Sequence, residues 1–365
     1  MSEPNQLRRN PFTRRWTVYA VGEIAPAELV ARARSVAVHD PPRAAEPCPF
    51  CPGNEAMTPP EILTWKGGAI RYRRDHGPAG SDWEARVFPN RNPLFRLEGQ
   101  LGRRAERNYD VLNAIGANEI IVETPRHLAS FADVPRELVH RSLLLYRERM
   151  RDLASNPELG HQAVYKHFGL RRASHIVHPY SQLFAAPVVP ERVHRELDTC
   201  RGHFKQKERC LTCDLVRDMD RVSRDCKVVE NAFFTAFVPF FAPHPFEVWV
   251  VPRRHLAFYP ELPDEEIEPA ADVIWRTLGA VEKVVGALAV TLTINTGPNP
   301  HYAAQRGYWQ TLRDDYHWRL VILPRLPVVA DLYRGFVLGT GFDVNPVLPE
   351  VAGTMLRAAV GSGTG

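Results

Sequence analysis

The sequence predicts an α+β fold made of two homologous halves, each an antiparallel sheet with a long helix packed on it. An internal repeat and a Cys-x-x-Cys pair in each copy lead to this prediction. The 32 prolines among 365 residues are about twice the usual share and favour short strands and loops. A chain of this length can form more than one hydrophobic core.

The repeat aligns residues 118–127 with residues 246–255 at a constant offset of 128. The identical pairs are Glu119/Glu247, Val122/Val250, Arg126/Arg254, His127/His255, Leu128/Leu256, Ala129/Ala257, Pro135/Pro263 and Glu137/Glu265. Each copy begins with a β-branched and aromatic run that is typical of a strand. Apolar periodicity then predicts helices over Arg136–Leu153 and about Asp264–Leu288. Repeated units of this kind indicate duplication.

Each copy also carries its own cysteines and histidines. Cys48-Pro-Phe-Cys51 precedes the first copy and Cys210-Leu-Thr-Cys213 precedes the second. A later strand in each half brings a further histidine, His178 or His317. We expect a first half over residues 1–190 and a second over 191–365, because Pro187, Pro190 and a charged stretch interrupt the apolar pattern there.

Two thiolates and two imidazoles are the ligand set of a closed, tetrahedral zinc site. The predicted sets are Cys48, Cys51, His127 and His178 in the first half, and Cys210, Cys213, His255 and His317 in the second. His127 and His255 recur with their own cysteine pairs, whereas the local pattern supports the other two histidines less. Two structural zinc ions per chain are expected, with iron in one site as the alternative.

Composition excludes several classes of protein. Hydrophobic residues make up 44% and the net charge is only +4, so neither a membrane span nor a nucleic-acid interface is expected. The amino-terminal residues lack the apolar core of a signal peptide, which predicts a cytoplasmic location. The small basic excess fits a pocket that receives anions.

Three segments together resemble the galactose-1-phosphate uridylyltransferase family of the histidine-triad superfamily: Cys48-Pro-Phe-Cys-Pro-Gly-Asn-Glu55, Arg86-Val-Phe-Pro-Asn-Arg-Asn-Pro93 and Glu119-Ile-Ile-Val-Glu-Thr-Pro-Arg-His127. The second cysteine pair and His317 are more similar to the ADP-glucose phosphorylase branch. The resemblance implies two histidine-triad-like halves, a nucleotide or nucleotide-sugar ligand and a homodimer. It also implies ping-pong nucleotidyl transfer through a nucleotidyl-histidine.

The family's nucleophile is missing from this sequence. In the family motif a first histidine binds zinc, a second attacks the α-phosphorus, and a glutamine holds the phosphoryl oxygens. In the segment His178-Pro-Tyr180-Ser-Gln182, a tyrosine stands at the attacking position. A phenol is a weaker nucleophile at neutral pH and a poorer leaving group than imidazole.

Four alternatives follow from this substitution. Tyr180 itself attacks, or His175 takes over, or the two substrates react directly beside Arg171 and Arg172. In the fourth, the chain binds a nucleotide or phosphosugar without turnover, or runs a different reaction on the same fold.

The resemblance also implies residues that contact the substrate. They are Arg86, Asn90 and Ser181 in the first half, and Gly339, Thr340, Gly341 and Asn345 in the second. Glycines let backbone N–H groups approach a phosphate closely, so residues 339–341 are expected to form a loop near the anion.

Overall fold

The computed structural model describes residues 4–38, 47–73, 80–128, 131–168, 176, 178–221, 223–286, 289–302 and 309–361. The first half contains α1 (Pro26–Val38), α2 (Arg136–Ala154) and strands β1 (Gln6–Arg9), β2 (Trp16–Tyr19), β3 (Leu63–Lys66), β4 (Ala69–Tyr72), β5 (Ala85–Pro89), β6 (Arg104–Glu106), β7 (Tyr109–Val111), β8 (Ala117–Val122), β9 (His161–Phe168) and β10 (Tyr180–Ala186).

The second half contains helices α3 (Glu191–Lys207), α4 (Leu211–Arg221), α5 (Asp264–Val285), α6 (Leu312–Asp315), α7 (Pro327–Thr340) and α8 (Pro349–Gly361). Its strands are β11 (Lys227–Glu230), β12 (Phe234–Phe237), β13 (Val248–Pro252), β14 (Val290–Asn295), β15 (Arg319–Pro324) and β16 (Asp343–Asn345). None of the described helices is long and apolar enough to cross a membrane.

One sheet of 11 strands joins the two halves, in the order β11-β12-β13-β15-β14-β9-β10-β8-β5-β3-β4. The strands β9 and β14 pair antiparallel at its centre. On either side the order mirrors itself, with β15 opposite β10, β13 opposite β8, and β12 opposite β5. This arrangement confirms the predicted α+β fold and its duplication. The boundary between residues 190 and 191 stays a prediction, since the sheet runs continuously through both halves.

The two repeat helices pack on one face of the sheet. Side chains alternate along each strand, so Ile121, Leu183, Leu292 and Ile322 point into the main core that α2 and α5 cover. Helix α2 begins at Arg136 as predicted, and α5 begins at Asp264. Helix α5 ends at Val285, three residues before the predicted Leu288, because Gly286 takes a φ of 85° that helices do not allow.

A buried ion pair fixes β8 on α2. Arg149 donates two hydrogen bonds to Glu119, at 2.9 and 2.8 Å, and both side chains are almost fully buried. The sequence repeat aligns Glu247 with Glu119, but the strand pairs differ from it by one residue, since Glu119 lies opposite Leu183 and Val248 lies opposite Ile322. Glu247 therefore faces the other side of the sheet, where it accepts a hydrogen bond from Trp249 at 2.9 Å.

The ends of the chain meet in a small sheet. Strand β16 pairs parallel with β2, and β2 pairs antiparallel with β1. Helix α8 then packs on the turn at 224–226, where Gly353 allows close contact. A Cβ at Gly353 would lie 2.2 Å from the Asp225 carbonyl oxygen, which is far inside the van der Waals distance.

Replacing Gly353 by alanine should therefore force α8 away from this turn. We expect Gly353→Ala to lower the free energy of unfolding by about 1–3 kcal/mol in urea titrations. The matched control is Gly335→Ala in α7, where nothing lies within 4 Å of the added Cβ. Because alanine favours helix, this control should be neutral or raise stability by up to about 1 kcal/mol. Equal effects of the two variants would contradict the packing argument.

Candidate functional site

The first cysteine and histidine cluster forms where the 48–51 loop meets β10. The ligand atoms of Cys48, Cys51, His127 and His178 all lie within 4.8 Å of one another. Cys51 Sγ lies 3.5 Å from His127 Nδ1 and 3.6 Å from His178 Nδ1. A tetrahedral zinc ion with ordinary bond lengths separates such ligand atoms by about 3.3–3.8 Å. The spacing therefore fits a metal ion.

His178 is oriented for this role. Its Nε2 donates to the Thr124 carbonyl oxygen at 2.7 Å, which leaves Nδ1 facing the two sulfurs. Burial lowers the pKa of the His178 imidazole to about 4, so the ring is neutral and able to ligate. Burial raises the pKa of the Cys51 thiol to about 11, and a bound cation reverses this effect because it stabilises the thiolate.

The second cluster repeats the first. The ligand atoms of Cys210, Cys213, His255 and His317 also lie within 4.8 Å of one another, with Cys213 Sγ 3.3 Å from His255 Nδ1 and 3.4 Å from His317 Nδ1. His255 Nε2 donates to the Arg313 carbonyl oxygen at 2.7 Å. Hydrogen bonds from Cys213, His255 and His317 lower the pKa of Cys210 to about 2. Both predicted ligand sets are thus brought together as possible metal sites.

A cavity of about 810 Å³, its open mouth included, lies beside the first cluster. It opens on the sheet face opposite α2 and α5, and its lining includes Tyr180, Gln182, Asn90, Phe50, Phe88, Ile120, Arg91 and Asn92. Tyr180 and Gln182 are two residues apart on β10, so their side chains share one face. The Phe50 ring packs edge-on against Tyr180, with centroids 5.1 Å apart.

Two of the expected substrate contacts in the first half are buried structural residues instead. Ser181 is fully buried on the opposite face of β10, where it bonds Glu123 and Tyr146, so it does not reach the cavity. Arg86 is also fully buried. Its Nη1 donates to Glu61 at 3.2 Å and its Nη2 to the Pro49 carbonyl oxygen at 3.1 Å, which holds the cysteine loop against β5. Asn90 does line the cavity.

The expected contacts in the second half also lie elsewhere. Gly339 and Thr340 form the exposed end of α7, and Gly341 caps that helix with a φ of 75°. Asn345 is buried, and its Nδ2 donates to the Ala242 carbonyl oxygen at 2.9 Å. In the described part of the chain, none of these four residues lines the cavity around Tyr180. His175, Arg171 and Arg172 lie outside the described residues.

Sequence reasoning missed Phe50, Arg91 and Asn92 as cavity residues. The signal was present, because all three lie inside segments that carry the resemblance. What the segments do not show is which of their side chains point outwards. That depends on the turn after β5 and on how the cysteine loop folds over the sheet.

Comparison with known proteins supports the same fold. The chain is 27% identical over 354 residues to ADP-glucose phosphorylase of Arabidopsis thaliana, covering 96% of this chain and 92% of that one. It is 23% identical over 361 residues to galactose-1-phosphate uridylyltransferase of Thermotoga maritima, covering 96% and 98%. No family model matches the chain.

Solved structures show the same fold. An ADP-glucose phosphorylase from Arabidopsis thaliana with bound ADP-glucose superposes with a TM-score of 0.73 at 26% identity, covering 97% of this chain and 99% of that one. A uridylyltransferase superposes with a TM-score of 0.70 at 26% identity, covering 98% and 99%. Along nearly its whole length the chain is thus similar to galactose-1-phosphate uridylyltransferase and to ADP-glucose phosphorylase. This similarity agrees with the resemblance seen in the sequence.

In the metal-free protein, the buried state of His178 predicts a loss of stability in acid. Without a bound ion its pKa is about 4 in the folded chain and about 6.5 in an unfolded one. The unfolded chain therefore binds an extra proton between these values, and the free energy of unfolding should fall as the pH drops from about 6.5 towards 4, by up to about 3 kcal/mol. Chemical denaturation across this range tests the prediction. His178→Asn should show a shallower fall, and an unchanged slope in that variant would contradict it.

Proposed function

We propose that this protein is a nucleotidyltransferase-type enzyme that acts on a nucleoside diphosphate sugar and a sugar phosphate. The observation that carries the proposal is the placement of Tyr180 and Gln182 on one cavity wall beside the first cluster. Relatives of nearly full length are a uridylyltransferase and an ADP-glucose phosphorylase. A structural neighbour contains ADP-glucose.

The cavity lining suits a nucleotide. Phe50, Phe88 and Ile120 provide an apolar wall on which a base can pack, and aromatic rings favour such contacts. The amides of Asn90, Asn92 and Gln182 and the guanidinium of Arg91 can donate to ribose hydroxyls and phosphate oxygens. We assign Gln182 to the phosphoryl oxygens, because among these four donors it is the one on the same strand and the same face as Tyr180.

We further propose that both clusters hold zinc. A zinc ion with four protein ligands supplies structural cross-linking and has no open position for catalysis. In the first half, Cys48 and Cys51 would thereby be tied to His178, two residues before Tyr180. This link fixes the Phe50 wall of the cavity relative to β10.

Two routes use this site. In one, the Tyr180 oxygen bonds to the α-phosphorus and its proton passes to solvent, while the bond to the leaving sugar phosphate breaks. The acceptor sugar phosphate then attacks the same phosphorus, and the bond to the tyrosine oxygen breaks as that oxygen takes up a proton. In the other, the acceptor phosphate attacks the α-phosphorus directly and the bond to the leaving sugar phosphate breaks, while Gln182 and Arg91 stabilise the charge. The phenol in place of imidazole also favours a second candidate function, which is nucleotide binding without turnover.

Metal content tests the zinc assignment. Emission spectroscopy of the purified protein should find two zinc ions per chain. Cys48→Ser should remove the first ion and Cys210→Ser the second, because each variant leaves its cluster with three ligands. The matched control is Cys226→Ser, a buried cysteine outside both clusters, which should keep two ions. Fewer than one ion in the wild-type protein would overturn the assignment, and iron in place of one zinc would correct it for that half.

Activity and adduct formation test the reaction. We expect the protein to release glucose 1-phosphate from UDP-glucose or ADP-glucose when an acceptor is present. Gln182→Ala should lower kcat/KM at least about tenfold, because an interaction with the reacting phosphoryl group is lost. The control Tyr165→Phe changes a neighbouring tyrosine paired across β9 and β10 with Gln182 and should leave turnover unchanged.

Intact-protein mass spectrometry separates the routes. A nucleotidyl adduct that Tyr180→Phe abolishes would establish the covalent route, and an adduct mapped to His175 would assign that residue instead. Turnover without an adduct would establish direct transfer. If neither appears while calorimetry shows micromolar nucleotide binding, the protein is a binder and the enzymatic proposal fails. Uridylyl transfer seen only in Tyr180→His would show that the native chain has left the family reaction.

A further inference from the structure

The second half has its own cavity on the same open face of the sheet. Arg319 follows the cluster ligand His317 by two residues, as Tyr180 follows His178. The duplication therefore places Arg319 where the first half has Tyr180. The cavity around Arg319 measures about 1370 Å³, its open mouth included, and we refer to it as the Arg319 cavity. It shares no lining residue with the cavity around Tyr180.

The guanidinium of Arg319 is buried with donors left over. Only 3% of the residue is exposed, and its Nη2 donates to Glu196 at 2.7 Å. Its Nε and Nη1 have no hydrogen-bond partner in the described part of the chain. Buried donors without a partner are costly and rare in folded proteins. Their presence on a cavity wall therefore points to a ligand with acceptor atoms.

Two aromatic rings hold this guanidinium in place. Its central carbon lies 4.3 Å from the centre of the Trp249 ring and 5.1 Å from that of Phe12. Cations stack favourably on such rings. The stacking and the bond to Glu196 fix the group in advance of binding, so a ligand meets donors that are already oriented.

The carboxylates that line the cavity are already engaged. Three of them contact arginines: Glu196 with Arg319, Asp343 with Arg15, and Glu191 with Arg195. The fourth, Glu247, accepts from Trp249, and burial raises its pKa, which favours its neutral form. The carboxylates therefore already have partners, and the buried donors that lack one on this wall belong to Arg319.

A second cation stands at the rim. Arg192 in α3 lines the cavity, its side chain is 67% exposed, and its Nη1 lies 3.9 Å from Glu196. Nearby, Thr293 and Asn295 project from β14 onto the cavity floor. A doubly charged group can therefore contact both arginines at once, while hydroxyl groups attached to it meet the threonine and asparagine side chains.

We propose that the Arg319 cavity binds a phosphomonoester, with the phosphate oxygens accepting from Nε or Nη1 of Arg319 and from Arg192. The polar floor provides for a hydroxylated remainder such as a sugar. The site is distinct from the cavity around Tyr180 and does not depend on the reaction assigned to that cavity.

Isothermal titration calorimetry of the full-length, metal-loaded protein tests the proposal. The probes are glucose 1-phosphate, inorganic phosphate and glucose. The Gln182→Ala variant serves as background, so that a weakened first cavity does not mask the second. We expect glucose 1-phosphate to bind once per chain there, glucose alone not to bind, and Arg319→Gln to weaken binding at least about tenfold. If inorganic phosphate binds as tightly as glucose 1-phosphate, the site recognises only the phosphate group.

The melting temperature of Arg319→Gln shows whether this variant folds. If it does not, a variant at the exposed Arg192 tests the same proposal. Arg192→Gln should weaken binding about two- to fivefold without changing the melting temperature. Its matched control is Lys205→Gln, which removes the same charge from the exposed part of the same helix and should have no effect. No binding in the Gln182→Ala background would overturn the proposal, as would binding that neither arginine variant weakens relative to Lys205→Gln. Turnover at Tyr180 would survive either result.

Discussion

The antiparallel pairing of β9 with β14 is the constraint on which the rest of the molecule depends. It joins two copies of one motif into a single sheet. Because side chains alternate along every strand, the two copies then bury their main-core residues on the same side. The opposite side contains both Tyr180 and Arg319, and in the second half α3 and α4 pack on part of it in a second core. Each cavity lies there because the repeat helices cover the other face.

The cysteine and histidine clusters occupy equivalent places on this frame. In each half a Cys-x-x-Cys segment meets a histidine just before a strand, and the residue two positions later lines a cavity. His178 and His255 each donate from Nε2 to a carbonyl oxygen, which leaves Nδ1 facing the sulfur of Cys51 or Cys213. The position of each cluster histidine therefore also sets the position of the residue two places further on, Tyr180 or Arg319.

The two halves differ at that residue. Tyr180 lies between an apolar wall and an amide, while Arg319 stacks on two aromatic rings beside a carboxylate. Glu119 and Glu247 are aligned in the sequence repeat but lie on opposite faces of the sheet, so their partners differ. Duplication conserved the backbone frame, and the side chains on the open face took separate roles.

Much of the fold could be predicted from local patterns. The repeat helices begin one residue after Pro135 and Pro263, where a proline fixes the chain just before the first turn. The site was harder to predict, because the direction of a side chain depends on strand register and on the packing of distant loops. Ser181 lies between two cavity residues but faces the core, and Arg86 sits in a segment that resembles a nucleotide contact but is buried under the cysteine loop. Gly339 and Gly341 looked like a phosphate loop, yet the apolar residues before them continue a helix up to Thr340.

By itself, the sequence determined the duplication, both groups of four metal-ligand candidates and the tyrosine two residues after His178, because each of these is a matter of residue identity at a fixed spacing. Only the tertiary structure decided which side chains meet across the chain. It turned Ser181 inwards and placed Arg319 and Glu196 together although 123 positions separate them. It also left two buried donors of that arginine without a partner among the described residues. Such contacts depend on strand register and on the packing of distant loops. Neither can be determined from a local stretch of residues.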